Sequence, residues 1–120
     1  MIDFSKMPAV YWSEETKISY LQRRVIVHCL LYYQLNFNIV SDAFYDSLAR
    51  QLVKMKKENP KAFANSKYFY AMKDFDGSTG FNLYHKLCVK DRNYLMSIAT
   101  MLKKQKESKQ SILPDRGFTS

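Results

Sequence analysis

Five side chains between residues 32 and 46 have types and spacing suited to ligand chemistry: Tyr32, Tyr33, Asp42, Tyr45 and Asp46. Phenol rings offer flat faces with negative π density, and carboxylates accept hydrogen bonds from hydroxyl and amide groups. Asp42, Tyr45 and Asp46 are three and four residues apart at most, which places them on one face of a helix. The tyrosine pair ends one segment, and a short polar loop leads to the acids at the head of the next. This corner reads as a small-molecule pocket. Plainer readings stay open: Tyr32, Phe44 and Tyr45 as an aromatic seam between helices, Asp42 as part of a cap beside Ser41, and Asp46 as a surface acid paired with Arg50 at i+4.

The corner needs two helices to hold it. Ser13 before Glu14 and Glu15 is an N-cap followed by acids where the helix dipole favours them. Ile18, Leu21, Val25, Cys29 and Tyr32 then recur at spacings of three and four, and flanking apolar residues widen the face toward the end. The first half of this helix should face water on one side, and the second half should be enclosed. Asn36 and Asn38 break the pattern, since asparagine tolerates helix-ending conformations. Ser41 and Asp42 cap a second helix carrying Phe44, Leu48, Leu52 and Met55, which ends in lysines before Asn59-Pro60. The short loop predicts an antiparallel pair.

Residues 1–12 carry aromatics without periodicity and read as an extended arm. Residues 60–66 form a connector with one turn around Ala62 and Phe63. The aromatic run at 67–72 reads as a short extended or strand segment ending in the Asp76-Gly77-Ser78-Thr79-Gly80 turn. Thr79 is expected to cap a brief helix through Phe81, Tyr84 and Leu87. Asp91 is expected to cap a longer one with Tyr94, Leu95, Ile98, Met101 and Leu102 inward. The fold class is therefore mainly α: a single helical domain over 1–108 with a flexible basic tail at 109–120.

A chain of 120 residues that is 47% hydrophobic suits one core, and a net charge of +8 favours solubility and weak attraction to polyanions. Cys29 and Cys88 lie far apart in apolar surroundings, and no secretory pattern opens the chain, which points to a reduced, cytoplasmic protein. The run from Val25 to Tyr33 is far short of the about 20 residues that span a bilayer. His28 and His85 with Cys29 and Cys88 lack metal-ligand spacing and read as core or half-buried side chains.

The run Tyr32-Tyr33, a short loop, Ser41-Asp42-Ala43-Phe44-Tyr45-Asp46, then Leu48 and Leu52, resembles the small N-terminal domain of NAD-dependent DNA ligases. In that family the domain closes over the nicotinamide mononucleotide (NMN) half of NAD. The resemblance covers roughly 14–60; the second half resembles only small stand-alone ligase-related proteins, often from phages. It implies that Tyr32 and Tyr45 contact nicotinamide and ribose, and that Asp42 and Asp46 accept hydrogen bonds from ribose hydroxyls or the carboxamide. Tyr33 stands where the ligases more often have histidine, and a phenol cannot carry positive charge to a phosphate. The flat nicotinamidium suits an aromatic face, with cation–π attraction on the order of 1–2 kcal/mol when water is excluded. Arg23, Arg24, Lys17 or a helix N-terminus would supply the phosphate donor.

The family's Lys-x-Asp-Gly nucleotidyltransferase motif has no match: Lys73-Asp74-Phe75-Asp76-Gly77 has one residue too many and reads as a turn. No nucleophile, phosphate loop or metal box supports an enzyme, including a hydrolase built on Asp42 and Asp46. The expectation is a non-catalytic module that requires no cofactor and binds NMN, NAD or a related nucleotide. One alternative is a small phage protein that binds and inhibits a host or defence protein in the host cytoplasm. Another is a basic DNA-binding accessory protein using Lys54, Lys56, Lys57, Lys103, Lys104 and Lys106.

Overall fold

The computed structural model describes residues 12–77 and 82–112. Helices α1 (Glu14–Tyr33) and α2 (Asp42–Glu58) are followed by three short ones, α3 (Pro60–Ala64), α4 (Phe69–Met72) and α5 (Leu83–Lys86), and by α6 (Val89–Ile112). The protein is mainly α-helical, and no strand occurs among the described residues.

Helix α1 is the centre of the packing and meets α2, α3, α5 and α6. It starts where the sequence places it: Ser13 is extended (φ −70°, ψ 164°), and its side chain accepts a hydrogen bond from the Thr16 N–H. Ile18, Leu21 and Gln22 are buried in its first half. In its second half Val25, Ile26, Val27, Cys29, Leu30 and Leu31 are all buried, so the helix is covered on nearly every side, as the widening apolar face requires. The chain leaves it through Asn36 in the left-handed region (φ 50°), with the Phe37 N–H bonded to the Leu31 carbonyl at 2.9 Å. Ser41 then caps α2, accepting from the Phe44 N–H at 3.1 Å.

The strand or extended segment expected at 67–72 is not formed; Phe69–Met72 is one turn of helix. The cause lies in α1. The Ser19 hydroxyl accepts the Lys67 N–H at 2.9 Å, and the Gln22 carbonyl accepts the Tyr68 N–H at 3.2 Å. With those N–H groups taken by side chains, and the Tyr68 carbonyl accepting from both Ala71 and Met72, no ladder can start. Lys56 finishes the segment by donating to the Lys73 and Phe75 carbonyls at 2.6 and 3.2 Å. The run from Lys73 to Gly77 is thus held as a turn against α2, with Gly77 at φ +90°.

Helix α6 begins three residues earlier than an Asp91 cap would start it: the Cys88 carbonyl accepts the Arg92 N–H at 2.8 Å, so Asp91 lies inside the first turn and is not the cap. Its buried stripe is Leu95 and Ala99, supported by part-buried Ile98 and Leu102. Tyr94 and Met101, expected inward, are about half exposed at 48% and 51%. Both sets repeat at helical spacing, and the face that packs is turned toward 95 and 99 and away from 94 and 101. The helix continues through 109–112, where the sequence places the start of a tail. The N-terminal arm up to Tyr11, the Thr79 cap with Phe81, and the tail from 113 lie outside the described residues. No helix among the described residues is long and apolar enough to cross a membrane.

Candidate functional site

The end of α1, the loop after it and the head of α2 enclose a hollow of about 420 Å³, within the roughly 300–1,000 Å³ usual for small-molecule sites. All of Tyr32, Tyr33, Asp42, Tyr45 and Asp46 line it. Helical spacing explains the α1 wall: His28 and Tyr32 are separated by one turn, as are Cys29 and Tyr33, so both tyrosines project over the same hollow as the residues before them. The α2 wall follows from Ser41, whose cap fixes the first turn and so the directions of Asp42, Tyr45 and Asp46. Phe37, Ile39 and Val40 from the loop supply an apolar floor.

At the rim Tyr32 and Tyr33 are 49% and 43% exposed and meet edge to face, with ring centroids 4.7 Å apart and planes at 89°. Both rings border the hollow and are part-exposed to solvent. Asp42 is exposed at the first turn of α2. Asp46 pairs with Arg50 at 2.8 Å, the plain reading of that acid, but the Arg50 side chain is 81% exposed. An exposed i,i+4 pair contributes only a few tenths of a kcal/mol, so a ligand can replace Arg50 at little cost.

Deeper in, the Tyr45 hydroxyl and the Cys29 thiol are 3.1 Å apart. Burial pushes the Cys29 thiol up to about 11, partly opposed by the Tyr45 hydrogen bond. Burial also raises the Tyr45 phenol, and the neighbouring Cys29 adds to the effect. Both groups stay protonated and neutral at physiological pH, and the pair joins α1 to α2.

His28, read from the sequence as a core or half-buried side chain, is half-buried and also lines the hollow. Its ring meets Phe44 edge to face at 6.5 Å, and burial, then the Arg24 charge, lower its pKa to about 4. The signal for it was its position one turn before Tyr32. The unfolded imidazole binds a proton at its ordinary value of 6.5 and the folded one only at about 4. Stability is therefore complete above the upper value and falls as pH drops toward the lower one. Allowing for screening at a part-exposed site, the expected loss is about 1–2 kcal/mol. Denaturant titrations at both ends of this window check it: His28→Leu should show a correspondingly smaller loss than the parent protein.

None of the cations named as phosphate donors lines the hollow, although the Arg24 charge reaches His28. Arg23 and Arg24 stack over Tyr20, and Lys17 pairs with Glu14 at 3.0 Å. Among the described residues no group of His, Cys, Asp and Glu is arranged to hold a metal ion.

A stretch of 46 residues, 38% of this chain, is 44% identical to a DNA ligase of Endomicrobium trichonymphae. This chain carries a ligase-related region. It spans only 7% of the length of that ligase. No protein-family model matches the chain, and no solved structure matches it.

Proposed function

We propose that the ligase-related region is a stand-alone counterpart of the small N-terminal domain of NAD-dependent DNA ligases, with α1 and α2 as its antiparallel pair, and that it binds the nicotinamide half of NMN, NAD or a related nucleotide without catalysing a reaction. The observation that carries this reading is the gathering of Tyr32, Tyr33, Asp42, Tyr45 and Asp46 around one hollow. The tyrosine rings stack on the pyridinium, and the two carboxylates accept hydrogen bonds from the ribose diol or the carboxamide. The Tyr45–Cys29 contact ties the head of α2, which carries the acids, to α1.

Calorimetry with NMN, NAD and ADP-ribose tests the proposal. NMN and NAD should give saturable heat, and ADP-ribose, which lacks the pyridinium, should give little. Absence of heat for all three ligands at millimolar concentration would refute it.

A second reading, as a nucleic-acid accessory, draws on a different face. Trp12, Tyr20, Arg23, Lys67 and Tyr94 surround a shallow groove of about 230 Å³. Aromatic rings interleaved with cations suit stacked bases and a phosphate backbone. The lysines on which the sequence bases this role contribute less: Lys56 is spent on the Lys73 and Phe75 carbonyls, and Lys54 lies 4.0 Å from Glu58.

A further inference from the structure

The hollow has a charge pattern opposite to that of the whole protein. The chain carries +8, yet among the described residues neither lysine nor arginine lines this space, whereas Asp42 and Asp46 do. Cations near it do not line it: the Arg24 charge reaches His28 from the preceding turn of α1. Arg50 sits on Asp46 from the neighbouring turn, and Lys103 lies over the Phe37 ring at 5.7 Å from its centroid. His28 adds no charge, because its buried imidazole is neutral at physiological pH.

A phosphate in the same space would look first to the head of α2, since helix N-termini attract anions. Part of that end is engaged, and it carries a negative charge of its own. The Phe44 N–H is taken by the Ser41 hydroxyl and the Tyr45 N–H by the Ser41 carbonyl, and Asp42 holds the first turn with its own negative charge. Tyr33 can donate a neutral hydrogen bond and no charge. Phosphate brings about −1.5 to −2 charges at pH 7, and two carboxylates would face it.

Resting on the nicotinamide reading above, we infer that this hollow selects the phosphate-free pyridinium nucleoside, a flat monocation, over its phosphorylated form. Its recognition elements match that ligand throughout. The Tyr32 and Tyr33 faces meet a cationic ring, and Asp42 and Asp46 meet a diol while balancing the ring's charge. The dinucleotide would bind through the same half with its pyrophosphate directed out into solvent.

The test compares three ligands on the full chain by calorimetry: nicotinamide riboside, NMN, and the uncharged dihydro form of the riboside. The riboside should bind at least tenfold more tightly than NMN and at least tenfold more tightly than its dihydro form. Combining Asp42→Asn with Asp46→Asn should weaken the riboside severalfold and bring its ratio to NMN close to one. Both carboxylates are at least part-exposed, and an unchanged denaturation midpoint shows that the variant folds. If NMN binds as tightly as the riboside or more so, the inference fails while the nicotinamide reading stands. Should none of these ligands bind, both fall together.

Discussion

Replacing Gln22 with alanine is expected to destabilise the protein by about 3 kcal/mol, a large share of the roughly 5–15 kcal/mol that holds a domain together. Gln22 is fully buried, and both ends of its amide are used. Its Nε2 donates to the Ser66 hydroxyl at 2.8 Å, and its carbonyl accepts the Tyr68 N–H at 3.2 Å. Ser66 keeps a second partner in the Phe63 carbonyl, so the group orphaned by the substitution is the Tyr68 N–H. An orphaned buried donor costs about 1–3 kcal/mol, and the vacated side-chain volume adds to that. Gln22→Met, which fills the volume but not the hydrogen bond, should recover part of the loss. Chemical denaturation of the three proteins checks this; a loss below about 1 kcal/mol for alanine would mean that α1 does not hold the 66–68 segment in place.

The second large effect is on binding and should leave the fold almost untouched. Tyr32→Ala removes a ring that is 49% exposed and packs chiefly on Tyr33, so stability should change by about 1 kcal/mol or less. Affinity for a nicotinamide ligand should fall ten- to thirtyfold, equivalent to about 1.5–2 kcal/mol of cation–π and stacking contact. Tyr32→Phe keeps the aromatic face and should retain most of it. Paired calorimetry and denaturation separate the two quantities. A Tyr32→Ala protein that binds as the parent does would remove the rim tyrosine from the site.

These two residues also mark the limit of what the sequence reveals. The corner is legible because its signals are local: Ser13 and Ser41 cap helices within three residues of themselves, and the wall residues repeat at one turn. The same periodicity shows that Tyr32 and His28 share a face. Misread elements were settled at long range. Phe69–Met72 is helical because Ser19 and Gln22, more than 40 residues away, take the N–H groups that a strand would need. Asp91 looks like a cap on composition, yet it accepts the Tyr70 hydroxyl at 2.6 Å while the helix starts before it. No pattern within a window of a dozen residues encodes either contact.

The central claim is that the corner between α1 and α2 holds a nicotinamide ring and its ribose. Amide chemical-shift mapping during titration with nicotinamide riboside and NMN addresses it most directly, because it reads location as well as affinity. Saturable shifts concentrated at 28–46, with the amides around Trp12, Lys67 and Tyr94 still, are the predicted result. Shifts gathered around Trp12, Lys67 and Tyr94, or no saturable shift at the corner, would contradict the account.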